Sequence, residues 1–266
     1  MYTLKKSLGQ HFLRDENISR KIIAAVLDTP PFKEAGGSTP PIGDAGGVRL
    51  LEVGPGAGAL TKYLLEIGGI DLKAVELDGE KVSYLEKTWP SLRGRILQDS
   101  VLDMDKPFEG PFTVVGNFPY NISSQILFKM LEWKDSLQSM TGMFQKEVAQ
   151  RVAAPEGSKV YGVISVLIQA WFEVEYLFEV SEQCFNPPPK VKSAVIRLLP
   201  RAVPPKMKSE KKFSLLVKTA FNQRRKTLRN AVKPLFEHDA LQDPIFEKRA
   251  EQLSVNDFAA LTWKMQ

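Results

Sequence analysis

Residues 50–58 run Leu50-Leu-Glu-Val-Gly-Pro-Gly-Ala-Gly58, an apolar segment that breaks into three glycines and a proline just before a helical pattern opens at Leu60. A strand that feeds a glycine turn and then a helix gives a ligand direct access to main-chain N–H groups, because glycine leaves no Cβ in the way. The turn lacks the Lys-Ser/Thr pair of a phosphate-gripping P-loop. Outward from it the pattern repeats as alternating units. Val48–Val53, Leu72–Glu76, Arg93–Leu97 and Phe112–Val115 read as strands, and Leu60–Ile67 and the segment after Asp78 read as helices. Such alternation predicts an α/β fold, with a largely parallel sheet covered by helices and ligands held at the carboxyl ends of the strands.

Three consecutive strand ends carry polar or glycine-rich signatures. The spacing Gly54-x-Gly56-x-x-Ala59 satisfies a relaxed dinucleotide fingerprint, and Glu76 follows about 20 residues later, where a ribose-binding acid belongs. Asp99 ends the third strand and is placed to accept from an adenine amino group. These features fit NAD and S-adenosylmethionine equally.

The fourth strand ends in Asn117-Phe118-Pro119-Tyr120. An exocyclic adenine amine is a poor nucleophile, because its lone pair is delocalised into the ring. Two acceptors on its N–H groups draw the nitrogen toward tetrahedral geometry. The Asn117 side-chain oxygen and the Phe118 carbonyl are the candidate acceptors, Pro119 fixes the turn without adding an N–H, and Tyr120 offers a face for stacking.

Elsewhere, Asn17 is the expected N-cap of a helix reaching Asp28, Thr29–Gly47 is a Pro/Gly-rich loop, and Ser123–Trp133 and Lys146–Ala154 are helices flanking a strand near Met140–Phe144. Tyr161–Ala170 fits either helix or buried strand. Phe172–Val180 and Val191–Leu199 are late strands. Prolines 200, 204 and 205 mark a linker, which predicts one domain over 1–202 and a helical one over 203–266.

Composition narrows the function classes. The 266 residues are 43% hydrophobic and 25% charged, which excludes a disordered chain. One cysteine, Cys184, and two histidines, His11 and His238, exclude a disulfide framework and make a metal centre unexpected. No apolar run approaches the length of a membrane span, so the expectation is a cytoplasmic monomer without a membrane partner. The net charge is +5, yet residues 201–233 hold eleven Lys or Arg against one acid, Glu210. A basic segment on an otherwise acidic body predicts a polyanionic partner. Arg224, Arg225, Lys226 and Arg229 are expected on a helix whose spacing gathers their charge toward phosphates.

These motifs together closely resemble the rRNA adenine N6-dimethyltransferase family. The matching stretches are Gly9-Gln-His-Phe-Leu13, Glu52-Val-Gly-Pro-Gly56, Glu76-Leu-Asp78, Gln98-Asp99, Gly116-Asn-Phe-Pro-Tyr-Asn-Ile-Ser123, Gln145-Lys-Glu147, Pro188-Pro-Lys-Val191 with Ser193, and Ala220-Phe-Asn-Gln-Arg-Arg-Lys-Thr-Leu-Arg-Asn230. The resemblance implies a Rossmann-like methyltransferase domain, a small helical C-terminal domain and S-adenosylmethionine as donor. It further implies, as substrate, two adjacent adenosines near the 3′ end of small-subunit (16S) rRNA, hence a role in ribosome biogenesis with the small ribosomal subunit as partner.

By position, His11 and Leu13 would cover the cofactor, Gly54 and Gly56 would approach it through the backbone, and Glu76, Asp99 and Asn117 would fix its ribose, adenine and reactive end. Phe185 would flank the target base opposite Tyr120. Many relatives carry Asn at the position of His11 and Leu at that of Phe118. Alternatives of related chemistry are N6-methylation of DNA adenine or of a protein glutamine, whose tetrapeptide usually has two prolines, and dimethylation of large-subunit rRNA. A non-catalytic ribosome-assembly or transcription factor on the same fold is the alternative from another class.

Overall fold

The computed structural model describes residues 11–33 and 47–266. Most of the expected Thr29–Gly47 loop, and Gly9 and Gln10 of the first motif, lie outside the described residues. Two compact units emerge. One runs to Ala149 and resumes over Glu175–Pro200; the other joins Gln150–Val174 to Arg201–Gln266. The sequence reading cut the chain once, near residue 202. The units instead interleave, because helix-forming residues ahead of the late strands belong with the C-terminal segment.

The first unit contains β1 (Phe12–Leu13), α1 (Glu16–Leu27), β2 (Val48–Val53), α2 (Thr61–Leu64), β3 (Ile70–Val75), α3 (Gly79–Thr88), β4 (Ile96–Leu97), β5 (Phe112–Asn117), α4 (Ser123–Glu132) and β6 (Leu137–Gln145). After the short α5 (Lys146–Val152) and α6 (Val163–Gln169) come β7 (Phe172–Val180), β8 (Phe185–Asn186) and β9 (Ser193–Pro200). The main sheet has seven strands in the order β4-β3-β2-β5-β6-β9-β7. β2, β3, β4, β5 and β6 are mutually parallel, and β9 runs antiparallel to β6. β2 and β5 are neighbours although a whole β3–β4 excursion separates them in sequence. The strand order therefore reverses between them, and a crevice opens at their carboxyl ends.

Several element bounds differ from the sequence reading for identifiable reasons. Helix α1 starts two residues earlier than expected, since Asp15 and not Asn17 caps it, its carboxylate accepting from the N–H groups of Asn17 and Ile18. The ambiguous segment 161–170 is helical over Val163–Gln169. Ile164, Val166, Leu167 and Ile168 are all buried there, so apolar residues occupy every side and the helical period is erased. Asp78 caps α3, the helix expected after it, accepting from the Glu80 N–H at 3.0 Å.

The second unit is helical, with α6, α7 (Glu210–Asn222), α8 (Leu228–Val232), α9 (Val255–Leu261) and several single 3-10 turns. Phe213, Leu216, Val217, Leu228, Val232, Phe246 and Phe258 form its buried interior, and Phe221 bridges the rings of Tyr161 and Phe258 at centroid separations of 6.0 and 5.9 Å. No helix among the described residues is long and apolar enough to cross a membrane.

Candidate functional site

A cavity of about 290 Å³ occupies the crevice at the β2/β5 strand ends. It is lined by Leu13 before α1, the glycine turn after β2, Glu76 after β3, Asp99 after β4, and Asn117–Tyr120 after β5. The fold thus brings together in one space the strand ends that the sequence singled out. Gly54, Gly56 and Gly58 hold φ of 66°, 58° and 84°, a left-handed conformation that side-chain-bearing residues rarely adopt, which explains all three glycines in the turn.

Glu76 is buried, and its carboxylate is already oriented. Oε1 accepts from the Asp78 N–H at 3.1 Å and Oε2 from the Gly56 N–H at 3.3 Å. Lys81, in the first turn of α3 and equally buried, brings its ammonium to 3.4 Å from both oxygens. Sequence reasoning missed this lysine. The available signal was its place five residues after Glu76, on the first turn of the helix that Asp78 caps. Asp99 sits exposed at the mouth of the cavity, with Oδ1 accepting from the Ser100 N–H at 2.7 Å.

Glu52, next to last in β2, also lines the cavity, and the sequence motif by itself assigns it no role. It is 1% exposed and accepts from the Thr61 hydroxyl at 2.7 Å. Burial pushes its carboxyl up to about 7, the Thr61 hydrogen bond pulls the other way, and the neighbouring Glu76 charge adds a smaller upward push.

Asn117 ends β5 with its side-chain Nδ2 donating to the His11 carbonyl at 3.3 Å. That bond commits the amide nitrogen and leaves Oδ1 as the group's acceptor face. The His11 ring donates from Nδ1 to the Pro187 carbonyl at 2.8 Å, and the residue is part of the cavity lining. The carbonyls of Pro119 and Tyr120 both accept from the Ser123 hydroxyl, at 3.2 and 3.1 Å, which closes the turn onto α4. The Tyr120 phenol is anchored to Ser193 of β9 at 2.5 Å. Burial raises its ionisation above the ordinary tyrosine range and keeps it neutral. Its ring stands 5.4 Å from that of His11, tilted by 32°.

Phe185 is not among the residues that line the cavity: it is 1% exposed, pairs with Leu13 across the β1/β8 ribbon and shares a buried cluster with Ile22, Leu60 and Val195. One sequence expectation is corrected: the basic run is not one helix face. Residues 224–226 form the turn between α7 and α8, and only Arg229 is helical. Arg224 donates to the Lys159 carbonyl at 2.7 Å and pairs with Glu251 at 3.4 Å, while Arg229 pairs with Glu247 at 2.7 Å and donates to the Leu241 carbonyl at 3.1 Å. Arg225 and Lys226 are the exposed members. Among the described residues no group of three or more His, Cys, Asp or Glu is arranged to hold a metal.

A mainly parallel sheet with a glycine turn and a buried acid at its switch point, and an Asn-Phe-Pro-Tyr turn beside them, defines a Rossmann-like methyltransferase. Similarity to known proteins agrees. The model of the ribosomal RNA adenine dimethylase family matches residues 1–264. A protein of Parabacteroides distasonis named ribosomal RNA small subunit methyltransferase A is 53% identical over 262 residues, covering 97% of this chain and 92% of its own. A Cytophaga hutchinsonii protein of the same name is 46% identical over 261 residues, covering 97% and 95%. Among solved structures, a dimethyladenosine transferase from Plasmodium falciparum superposes with a TM-score of 0.73 at 24% identity, covering 93% of this chain and 94% of that one. The 23S rRNA methyltransferase ErmE gives 0.68 at 23%, covering 94% and 99%; both show the fold. The chain belongs to the ribosomal RNA adenine dimethylase family, and the choice between a dinucleotide and a methyl donor that the glycine turn left open falls to the donor.

Proposed function

We propose that this enzyme uses S-adenosylmethionine to place two methyl groups on N6 of each of two adjacent adenosines near the 3′ end of small-subunit rRNA. The observation that carries the reading is the Asn117 amide, whose nitrogen is spent on the His11 carbonyl so that its oxygen is the acceptor offered beside Phe118-Pro119-Tyr120. The residues of the cavity fit the donor. Glu76 has two oriented carboxylate oxygens for ribose hydroxyls, Asp99 lies at the mouth for an adenine amine, and the glycine turn admits close main-chain approach. When bound, S-adenosylmethionine supplies an electrophilic methyl group on a sulfonium.

The chain's own contribution is orientation. Asn117 Oδ1 and the Phe118 carbonyl accept the two N6–H hydrogens of the target adenine, which localises the nitrogen lone pair, and the Tyr120 ring carries the base. No strong base is required, because the amine becomes acidic only after methylation and then loses its proton to solvent. Monomethyladenine has one N–H left, so one acceptor must face the first methyl during the second transfer.

Arg225 and Lys226, exposed on the turn, are the candidates for rRNA phosphates, with Arg224 and Arg229 acting chiefly to hold that turn in shape. The test offers purified small and large subunits separately to the enzyme with labelled donor. Dimethyladenosine confined to small-subunit rRNA is expected. Label in large-subunit rRNA alone would assign the chain to the other branch, and none in either would leave a scaffold role.

A further inference from the structure

The side chain of Phe118 is absent from the proposed chemistry, yet its surroundings are unusually specific. β5 and β6 place Gly116 directly opposite Gly142, and the Phe118 ring folds back over this pair of glycines. A Cβ built on Gly142 would stand 2.1 Å from Phe118 Cε2 and 2.8 Å from Cδ2, and one on Gly116 would stand 2.6 Å from Cε1. Phe144 closes the far side, its ring centroid 4.9 Å away, and Phe118 is 1% exposed. The ring therefore has no free volume to turn into. On the main-chain side the Phe118 N–H donates to the Met143 carbonyl of β6 at 3.1 Å.

We propose that Gly142 is a positioning residue for catalysis: it provides the slot that seats the Phe118 ring, and through it fixes the Phe118 carbonyl and the adjoining Asn117 amide as acceptors. The inference rests on the function proposed above. Conformational need does not explain this glycine, because Gly142 is not among the positive-φ residues and lies inside a strand, where alanine is accepted by the backbone. On backbone grounds alone Gly142→Ala would be neutral or slightly stabilising, since it restricts the unfolded chain. The slot makes the opposite demand. A methyl group at 142 cannot coexist with the ring, so residue 118 must shift by a substantial part of an ångström, and a displacement of about 1 Å at reacting groups costs on the order of 100-fold in rate.

The experiment is a double-mutant cycle on full-length enzyme with purified small subunits, reading kcat, KM for each substrate, donor affinity by calorimetry and melting temperature. Gly142→Ala is expected to lower kcat by about 10- to 100-fold while donor affinity stays within about twofold, because the ribose and adenine ends are held by other strands. Phe118→Leu empties part of the slot and lowers kcat more mildly. Combining the two lets the alanine methyl occupy the vacated volume, so the double variant is expected to exceed Gly142→Ala in kcat by about tenfold and to match or exceed Phe118→Leu. Additive losses would overturn the inference, as would Gly142→Ala with kcat within twofold of wild type. Should Gly142→Ala fail to fold, the comparison of Phe118→Leu with the double variant still decides, a further loss counting against the slot. Failure of the underlying reading is separate: it is reported by Asn117→Ala retaining activity, whatever residue 142 does.

Discussion

The strand-end cavity and the basic turn after α7 were both conspicuous in the sequence, yet the structure treats them differently. At the cavity, residues from five separated segments converge, and Glu76, Glu52 and Asn117 each have bonding partners that set their orientation. On the basic turn, four cations close together in sequence divide into two that tie the local structure together and two that are exposed. Adjacent charges therefore need not share a task. Buried polar groups must be paired and so keep a fixed geometry, whereas surface cations are free to serve either a neighbouring carboxylate or a partner.

The sharpest way to break this contrast is at Asn117. Asn117→Ala is expected to reduce kcat on the order of 100- to 1,000-fold with donor affinity nearly unchanged, as for loss of one group that acts only in the transition state. Single-turnover methylation of small subunits measures it, and a loss of only a few-fold would remove Asn117 from the reacting centre.

Glu52 offers a test through pH. Its carboxyl is raised from 4.5 to about 7 in the folded protein, so between these values the native state binds more protons than the unfolded one and stability falls as pH rises. The decline is complete above about pH 7 and amounts to at most about 3 kcal/mol. Glu52→Gln keeps an acceptor for Thr61 and should flatten that decline, giving a variant more stable than wild type at pH 8 and little changed at pH 4. Denaturant unfolding at both pH values checks the sign; parallel curves would show that Glu52 is ionised throughout.

Smaller effects are expected further along. Glu76→Ala should weaken donor binding by about 10- to 100-fold, since charge-assisted hydrogen bonds contribute roughly 1.5–3 kcal/mol. Unchanged affinity by calorimetry would relocate the ribose site. Finally, Arg225→Gln with Lys226→Gln should weaken small-subunit binding and reduce the slope of log affinity against log salt by about 0.7 to 0.9 per lost contact. Arg224→Gln with Arg229→Gln should instead lower the melting temperature of the protein. If both pairs change the slope alike, the division of the basic turn is wrong.

Much of this molecule was determined by sequence alone. Local patterns were sufficient for the alternating strands and helices and for the glycine turn, because each depends on residues within a few positions of one another. The Phe172–Val180 strand matches its expected span for the same reason. Only the tertiary structure decided the rest. Gly142 meets Phe118 and Ser193 meets Tyr120 across elements whose pairing no local pattern encodes. Phe185 became core and α6 joined the C-terminal unit for a related reason: which apolar surface covers which is set by long-range packing. Burial then fixed the chemistry, since the same carboxylate that would be an ordinary acid in water is held near 7 at Glu52 by removal from solvent.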